Sequence, residues 1–294
     1  MTIEIKVDKE KDINSFYENI FGEEFIRKRG FVKKRIFKCY PELEEKLASV
    51  TDIEIRKKEI YDCVSDLYID HDAKLQSIVQ NLTLLFEQNK DKIFNGLSQT
   101  MDLDSDDIPN ITIIPSFKPN STFWMSTINL SILSEIFQNQ TKPYIDIFIH
   151  EITHIIRNQK VWKIYNTVWK LWSLAHEDLK EIVAPIIIRD PVFKDVLQSE
   201  YLKKANDKQQ LLSVSVGWIQ YNIVDYFESI YQDMKKKWIP FEEIMKIFVK
   251  IFLSIEDQIN AKHLIYNEYW SGIDKGASLK ILEEKWYLIP IVIS

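Results

Sequence analysis

Cysteine and long apolar runs are what this sequence has least of. Cys39 and Cys63 are the only cysteines in 294 residues, so at most one disulfide can form, and neither has a Cys or His neighbour at zinc-site spacing. No window approaches the roughly 18 uncharged apolar residues that cross a membrane, and residues 1–6 lack the apolar core of an export signal. We therefore expect a cytoplasmic protein that is neither disulfide-stabilised nor bound to a membrane.

Glycine and proline are also scarce, with 6 and 9 occurrences. Sheets and tight hairpins need these residues at their turns, so their scarcity favours helices. The composition is otherwise globular, since 46% of the residues are hydrophobic and 8 Trp, 13 Tyr and 16 Phe are available for a core. The net charge is −6, and the lysines are interleaved with acidic and apolar residues, which argues against nucleic acid as a partner.

The first third of the chain has helical periodicity over about residues 11–97. Its clearest helix follows Thr51, a suitable N-cap whose capping-box partner would be Glu54. The acidic segment 102–110 cannot continue an apolar face, and it lacks the Gly and the Glu of a calcium-binding loop. These features predict a helical N-terminal lobe, residues 1–101, followed by a linker at about 102–110.

The residue composition of the chain changes after this acidic segment. Residues 111–117 and 122–131 are rich in β-branched and aromatic side chains, which predicts an antiparallel pair of strands. Helical periodicity then returns near Ser131 and continues almost to the end, with breaks at Pro143, Pro191 and Pro240. We therefore expect a second domain, residues 111–294, and a fold that is mainly α with a small antiparallel β element.

This second domain contains the motif His150-Glu151-Ile152-Thr153-His154. Residues four apart on an α-helix lie one turn above each other on the same face, so both imidazoles can bind one metal ion. Glu151 lies about 100° round the helix from His150, where it can reach a metal-bound water without binding the metal. The helix also has the apolar spacing of a core-facing side, formed by Ile145, Phe148, Ile149, Ile152, Ile155 and Ile156.

The motif resembles the zinc-binding signature of the zincin metallopeptidases. That resemblance implies a zincin-like (thermolysin-like) catalytic core that binds Zn²⁺ through His150 and His154 and hydrolyses a peptide or protein substrate. It further implies that a zinc-activated water is the nucleophile and that Glu151 is the general base. Zincins place an edge strand beside the active-site helix to hold an extended substrate, a part that segment 122–131 would play here.

A catalytic zinc normally has a third protein ligand. The metzincin pattern places a Gly three residues and a His six residues after the second zinc His, where this chain has Arg157 and Lys160, so that subfamily is excluded. The gluzincin pattern takes a Glu from the following helix, and residues 164–186 have the apolar spacing of such a helix. This helix offers Glu177 and Glu181, one turn apart on one face.

We prefer Glu181 as the third ligand, with Glu177 as its rival or as a residue that orients an imidazole. Residues 182–184 resemble the small and apolar stretch that follows the ligand Glu in gluzincins. Pro185 would also leave the carbonyl of residue 181 without its helical hydrogen-bond partner, a local break that is often tolerated near functional sites. The chain departs from the gluzincin pattern at Lys180, where an Asn is common.

An oxyanion formed during hydrolysis would need a further donor. His176 is either a packed histidine or a contributor to the site. His263, Tyr266 and Tyr269 are other candidates, although aromatic residues at helical spacing are more often core.

The alternative function is a non-catalytic, zinc-stabilised helical protein that binds a protein partner. Glu151 and the lack of nearby Cys favour catalysis, because structural zinc is usually held by four side chains that include Cys.

Overall fold

The computed structural model describes residues 2–104, 106–164, 174–199, 206–270 and 274–293. These residues form thirteen α-helices and seven short β-strands. The prediction of a mainly helical fold is therefore confirmed.

The first third of the chain is helical, as its periodicity predicts. A short strand precedes the helices, and the elements are β1 (Ile3–Ile5), α1 (Lys9–Phe21), α2 (Glu23–Cys39), α3 (Pro41–Leu47), α4 (Ile53–Asp70) and α5 (Asp72–Met101). The N-cap of α4 is Asp52, whose carboxylate accepts hydrogen bonds from the backbone N–H groups of Glu54 and Ile55. The prediction of Thr51 as the N-cap is wrong by one residue, because either side chain satisfies the same capping preference and only one can occupy the position.

The two predicted strand segments form three strands: β2 (Ile111–Ser116), β3 (Thr122–Trp124) and β4 (Thr127–Ser131). The sheet order is β1-β2-β4-β3. Only β3 and β4 pair antiparallel, whereas β2 pairs in parallel with both β1 and β4. The prediction of an antiparallel element is thus wrong for most of this sheet, because β3 passes to the edge and the chain then returns as β4 between β2 and β3.

The remaining helices are α6 (Leu133–Gln138), α7 (Tyr144–Ile164), α8 (Leu174–Ile188), α9 (Asp207–Leu211), α10 (Ile223–Lys236), α11 (Phe241–Ser254), α12 (Glu256–Tyr269) and α13 (Lys275–Glu284). The predicted proline breaks each lie at the end of a helix, since Pro143 precedes α7, Pro191 follows α8 and Pro240 precedes α11, but the other helix ends of this region were not predicted. A 3-10 turn, Pro191–Phe193, follows α8. Residues 165–173 of the predicted helix 164–186 lie outside the described part of the chain.

Three strands interrupt the region that we expected to be helical: β5 (Ser213–Val216), β6 (Ile219–Asn222) and β7 (Ile291–Ile293). The hairpin β5–β6 turns at Gly217, whose φ of 59° is a conformation that glycine adopts without strain. The third strand, β7, pairs in parallel with β5. These strands escaped prediction because each is only three or four residues long, too short for a periodicity of two to stand out.

The chain folds into two compact units. The first comprises residues 1–89 and 110–148, and the second comprises residues 90–109 and 149–294. These units do not follow the sequence in two consecutive blocks, because β1 near the N-terminus pairs with β2 after the acidic segment. The division into a helical lobe, residues 1–101, and a catalytic domain, residues 111–294, stays a prediction.

The acidic segment 102–110 makes specific interactions in the second unit. Asp102 accepts hydrogen bonds from Lys235 Nζ at 2.8 Å and from the backbone N–H of Phe241 at 2.6 Å. Asp107 accepts one from Lys160 Nζ at 2.7 Å. Two of the aspartates therefore fix the segment to neighbouring helices.

Candidate metal centre

The helix that carries the five-residue motif, α7, is buried on most of its sides over the motif, although the side chain of His150 is 18% exposed. The apolar residues predicted to face the core are all buried: Ile145, Phe148, Ile149, Ile152, Ile155 and Ile156. The polar face is buried too, since Glu151, His154 and Arg157 have exposures of 8%, 1% and 0%. Buried groups that carry charge need partners or a metal ion, because leaving water costs them free energy.

The second helix of the site is α8, which packs against α9, α10, α11 and α12. Nearly all of its residues are buried, including Leu179, Ile182 and Val183. Pro185 lies inside this helix, which continues to Ile188. The apolar packing of α8 fixes the direction in which its few acidic side chains point.

His150, His154 and Glu181 converge in the second unit. Their nearest ligand atoms lie within 4.8 Å of one another, and among the described residues no other group of three His, Cys, Asp or Glu side chains does so. The Nε2 atoms of His150 and His154 are 2.9 Å apart. His150 Nε2 lies 3.3 Å from Glu181 Oε2, and His154 Nε2 lies 3.6 Å from Glu181 Oε1.

These separations match the donor spacing of a zinc site. Zinc bonds of about 2.0–2.1 Å in tetrahedral directions put neighbouring ligand atoms roughly 3.3 Å apart. The three observed separations, 2.9, 3.3 and 3.6 Å, lie on either side of that distance. Two imidazole nitrogens and one carboxylate also form the ligand set of several catalytic zinc sites, which leave a fourth position for water or substrate.

The electrostatics keep the carboxylate ready to bind a cation. Burial raises the pKa of Glu181, but His154, His150 and Lys180 outweigh it and hold this pKa well below its usual range. Burial lowers the pKa of His150, whereas the hydrogen bond and charge of Glu181 and the charge of Glu151 raise it, so that the net shift is upward. Glu181 is therefore ionised, and the surrounding acids stabilise positive charge between these side chains.

Glu151 lies on the same turn of α7 as His150. Its side chain is 8% exposed, and its charge contributes to raising the pKa of His150. Glu151 does not belong to the group of three ligand candidates in the part of the chain that the structure describes. Glu151 therefore lies next to the three-residue group without belonging to it.

The other acidic residues of α8 have different partners. Glu177, the rival ligand, forms a 2.6 Å ion pair with Lys180, and it is not a member of the three-residue group among the described residues. Asp178 forms a buried cluster with Lys208, whose Nζ lies 2.6 Å from Asp178 Oδ1, and with His263, whose Nδ1 lies 3.0 Å from Asp178 Oδ2. Of the three acidic residues of α8, only Glu181 lies next to both His150 and His154.

The candidates for an oxyanion donor are engaged elsewhere. His263 belongs to the cluster around Asp178. Tyr266 stacks on Trp270 with ring centroids 5.1 Å apart, and the ring of Tyr269 contacts Lys285. These contacts are typical of packing residues. His176 instead contacts Arg157, and Arg157 lies one helical turn after His154 on α7.

Asn206, the N-cap of α9, contacts the site although nothing in the sequence predicts it there. Its Nδ2 donates a long hydrogen bond of 3.4 Å to Glu181 Oε2, while its Oδ1 caps α9 by accepting from the backbone N–H of Gln209. The same short helix is fixed to α8, because the side chains of Lys208 and Gln209 both bind the carboxylate of Asp178. Asn206 is therefore a positioning residue for Glu181.

Replacing Asn206 separates its two roles. Asn206→Ser keeps a capping oxygen but cannot reach Glu181, whereas Asn206→Ala keeps neither interaction. We expect both variants to weaken zinc binding equally, by about tenfold. Only Asn206→Ala should also lower the free energy of unfolding, by about 1 kcal/mol. Competition with a chelator and chemical denaturation measure the two effects, and unchanged zinc affinity in both variants would remove the positioning role.

Comparisons with protein-family models, with curated proteins and with solved structures found no match to this chain. Among the helices that the structure describes, none is long and apolar enough to cross a membrane. The function is therefore inferred from the residues of the site.

Proposed function

We propose that this protein is a zinc-dependent metallopeptidase in which His150, His154 and Glu181 hold Zn²⁺ and Glu151 is the general base. The convergence of two imidazole nitrogens and one carboxylate at zinc-site spacing carries this proposal. The third ligand comes from the helix after the motif, as the gluzincin resemblance implies. We propose a zincin-like catalytic core on the same grounds.

A zinc ion held by His150, His154 and Glu181 would polarise the scissile carbonyl and lower the pKa of a water molecule toward neutrality. Glu151 accepts a proton from the attacking water as its oxygen bonds to the carbonyl carbon. The same carboxyl group then donates that proton to the leaving amine as the C–N bond breaks. Glu181 contributes one negative charge to the ligand set, and its low pKa keeps that charge in place over the whole neutral range.

Three features favour hydrolysis over a purely structural zinc site. The ligand group has three members among the described residues, whereas structural zinc usually has four protein ligands, often Cys. Neither cysteine belongs to the group. The third feature is Glu151, a buried carboxylate beside His150 that lies outside the ligand group and to which hydrolysis gives a role as general base.

Digestion of a mixed peptide pool by the zinc-loaded protein tests this function. We expect new peptide termini in the mass spectrum, their loss after treatment with a zinc chelator, and their return when zinc is restored. A pool that stays intact under all zinc-loaded conditions, with zinc bound, would contradict peptidase activity and favour the non-catalytic, partner-binding alternative.

A further inference from the structure

Arg157 lies on α7, three residues after His154, and has no solvent-exposed surface. Its Nη1 donates to Asn158 Oδ1 at 3.0 Å and lies 3.3 Å from Nδ1 of His176. Three residues correspond to a rise of about 4.5 Å along a helix. The guanidinium group is therefore carried by the same helix, and by nearly the same face, as the proposed zinc ligands.

Two of the nitrogens of this guanidinium are not paired. Nε and Nη2 are buried and have no hydrogen-bond partner among the described residues. A buried charge with unmade hydrogen bonds is costly. Other buried charges of this unit are matched, as Asp178 is by Lys208 and Gln209.

The unpaired nitrogens form a defined recognition element. On a guanidinium, Nε–H and one N–H of Nη2 point in the same direction and make a fork whose two parallel bonds fit the two oxygens of a carboxylate. A lysine ammonium offers no such fork. The contacts to Asn158 and His176 use Nη1 alone, so they orient the group while the two nitrogens of the fork keep no hydrogen-bond partner among the described residues.

The charge balance around the fork suits an anion. Burial lowers the pKa of Arg157 to about 10, with Glu177 acting in the opposite direction, so the guanidinium stays charged at neutral pH. Glu177 is already bound to Lys180 at 2.6 Å. An incoming carboxylate would thus meet a cation while Glu177, the acid that raises its pKa, is paired with Lys180.

We propose that the Nε–Nη2 fork of Arg157 binds a carboxylate of the substrate close to the scissile bond. This inference rests on the proposed peptidase function and adds its substrate class, a peptide that carries a carboxylate on or beside the residue being released. The carboxylate is either the α-carboxylate of a C-terminal residue or an Asp or Glu side chain. Because Arg157 is buried, binding requires the groups that cover the fork to move aside.

Binding of three small probes separates these sources. They are N-acetyl-Ala-Phe with a free α-carboxylate, its C-terminal amide, and N-acetyl-Ala-Asp with an amidated terminus. We expect calorimetry on the zinc-loaded protein to show that at least one of the two acids binds about tenfold or more tightly than the neutral amide, a size typical of a charge-assisted bidentate contact. Equal binding of all three probes, or no binding of any, would overturn the proposal.

Variants at Arg157 assign the preference to the fork. Arg157→Lys keeps the charge and removes the fork, and we expect it to reduce the preference for the acid to less than about threefold at unchanged zinc content. Lys160→Gln, a change one turn further along α7 at a lysine bound to Asp107, is the matched control and should keep the full preference. A preference that survives Arg157→Lys would overturn the proposal.

A further measurement on the unaltered chain applies even if the Arg157 variants do not fold. The preference for the acid should persist in wild-type protein from which zinc has been removed, because the fork is not part of the ligand group. Its disappearance there would assign the carboxylate to the metal and overturn the role of Arg157. Zinc analysis of the same samples tests the proposed function separately, since failure to bind zinc leaves the comparison of acid and amide intact.

Discussion

Glu151→Gln is expected to reduce peptide hydrolysis by about 10²–10⁴-fold while zinc stays bound. The amide has the shape of the carboxylate but cannot accept a proton from water, so the variant removes the base and little else. We expect zinc to be retained because Glu151 lies beside His150 but does not belong to the ligand group. Turnover of a peptide cleaved by the wild type, together with zinc content, measures both effects.

Glu268→Gln is the matched control for this change, because Glu268 is an exposed residue of α12. It should leave both activity and zinc content at wild-type values. Hydrolysis by Glu151→Gln at a rate close to that of the wild type would remove the general-base role. Loss of zinc together with activity would instead place Glu151 among the ligands.

Glu181→Ala is expected to weaken zinc binding by more than about 100-fold, beyond the effect of losing a residue that only supports a ligand. The change removes a carboxylate that lies within 3.6 Å of both histidine Nε2 atoms. Glu177→Ala is the paired control on the same helix, one turn away. It breaks the ion pair with Lys180 and should change zinc affinity by less than about tenfold.

Competition with a chelator of known zinc affinity measures these two variants side by side. Equal losses would mean that the two acids act together on the metal. A larger loss in Glu177→Ala would make Glu177 the third ligand, and the gluzincin-type assignment of Glu181 would then be wrong.

Local periodicity predicted the elements that carry the site. The apolar spacing of Ile145 to Ile156 places the two histidines on one face of a helix, and the structure has that helix with those residues buried. The spacing of Glu177 and Glu181 could not decide between them, because residues four apart share a face. The choice depends on how α7 and α8 pack, which brings Glu181 to the histidines and Glu177 to Lys180.

Other features depend on interactions between segments far apart in sequence. Asn206 reaches Glu181 across 25 residues, and its signal in the sequence is only that of a helix N-cap. The parallel pairing of β1 with β2 joins residues more than 100 positions apart, and a three-residue strand has no readable pattern. In the sequence, Arg157 only marks the position where the metzincin pattern would have Gly, since its unpaired fork depends on what surrounds it in the fold.

Zinc content of the purified wild-type protein tests the central claim most directly. After incubation with zinc and removal of excess metal, elemental analysis should find about one zinc per chain, as for a site with three protein ligands. The Glu181→Ala variant, treated in the same way, should retain far less. Wild-type protein that is folded and yet holds no zinc after this treatment would contradict the account.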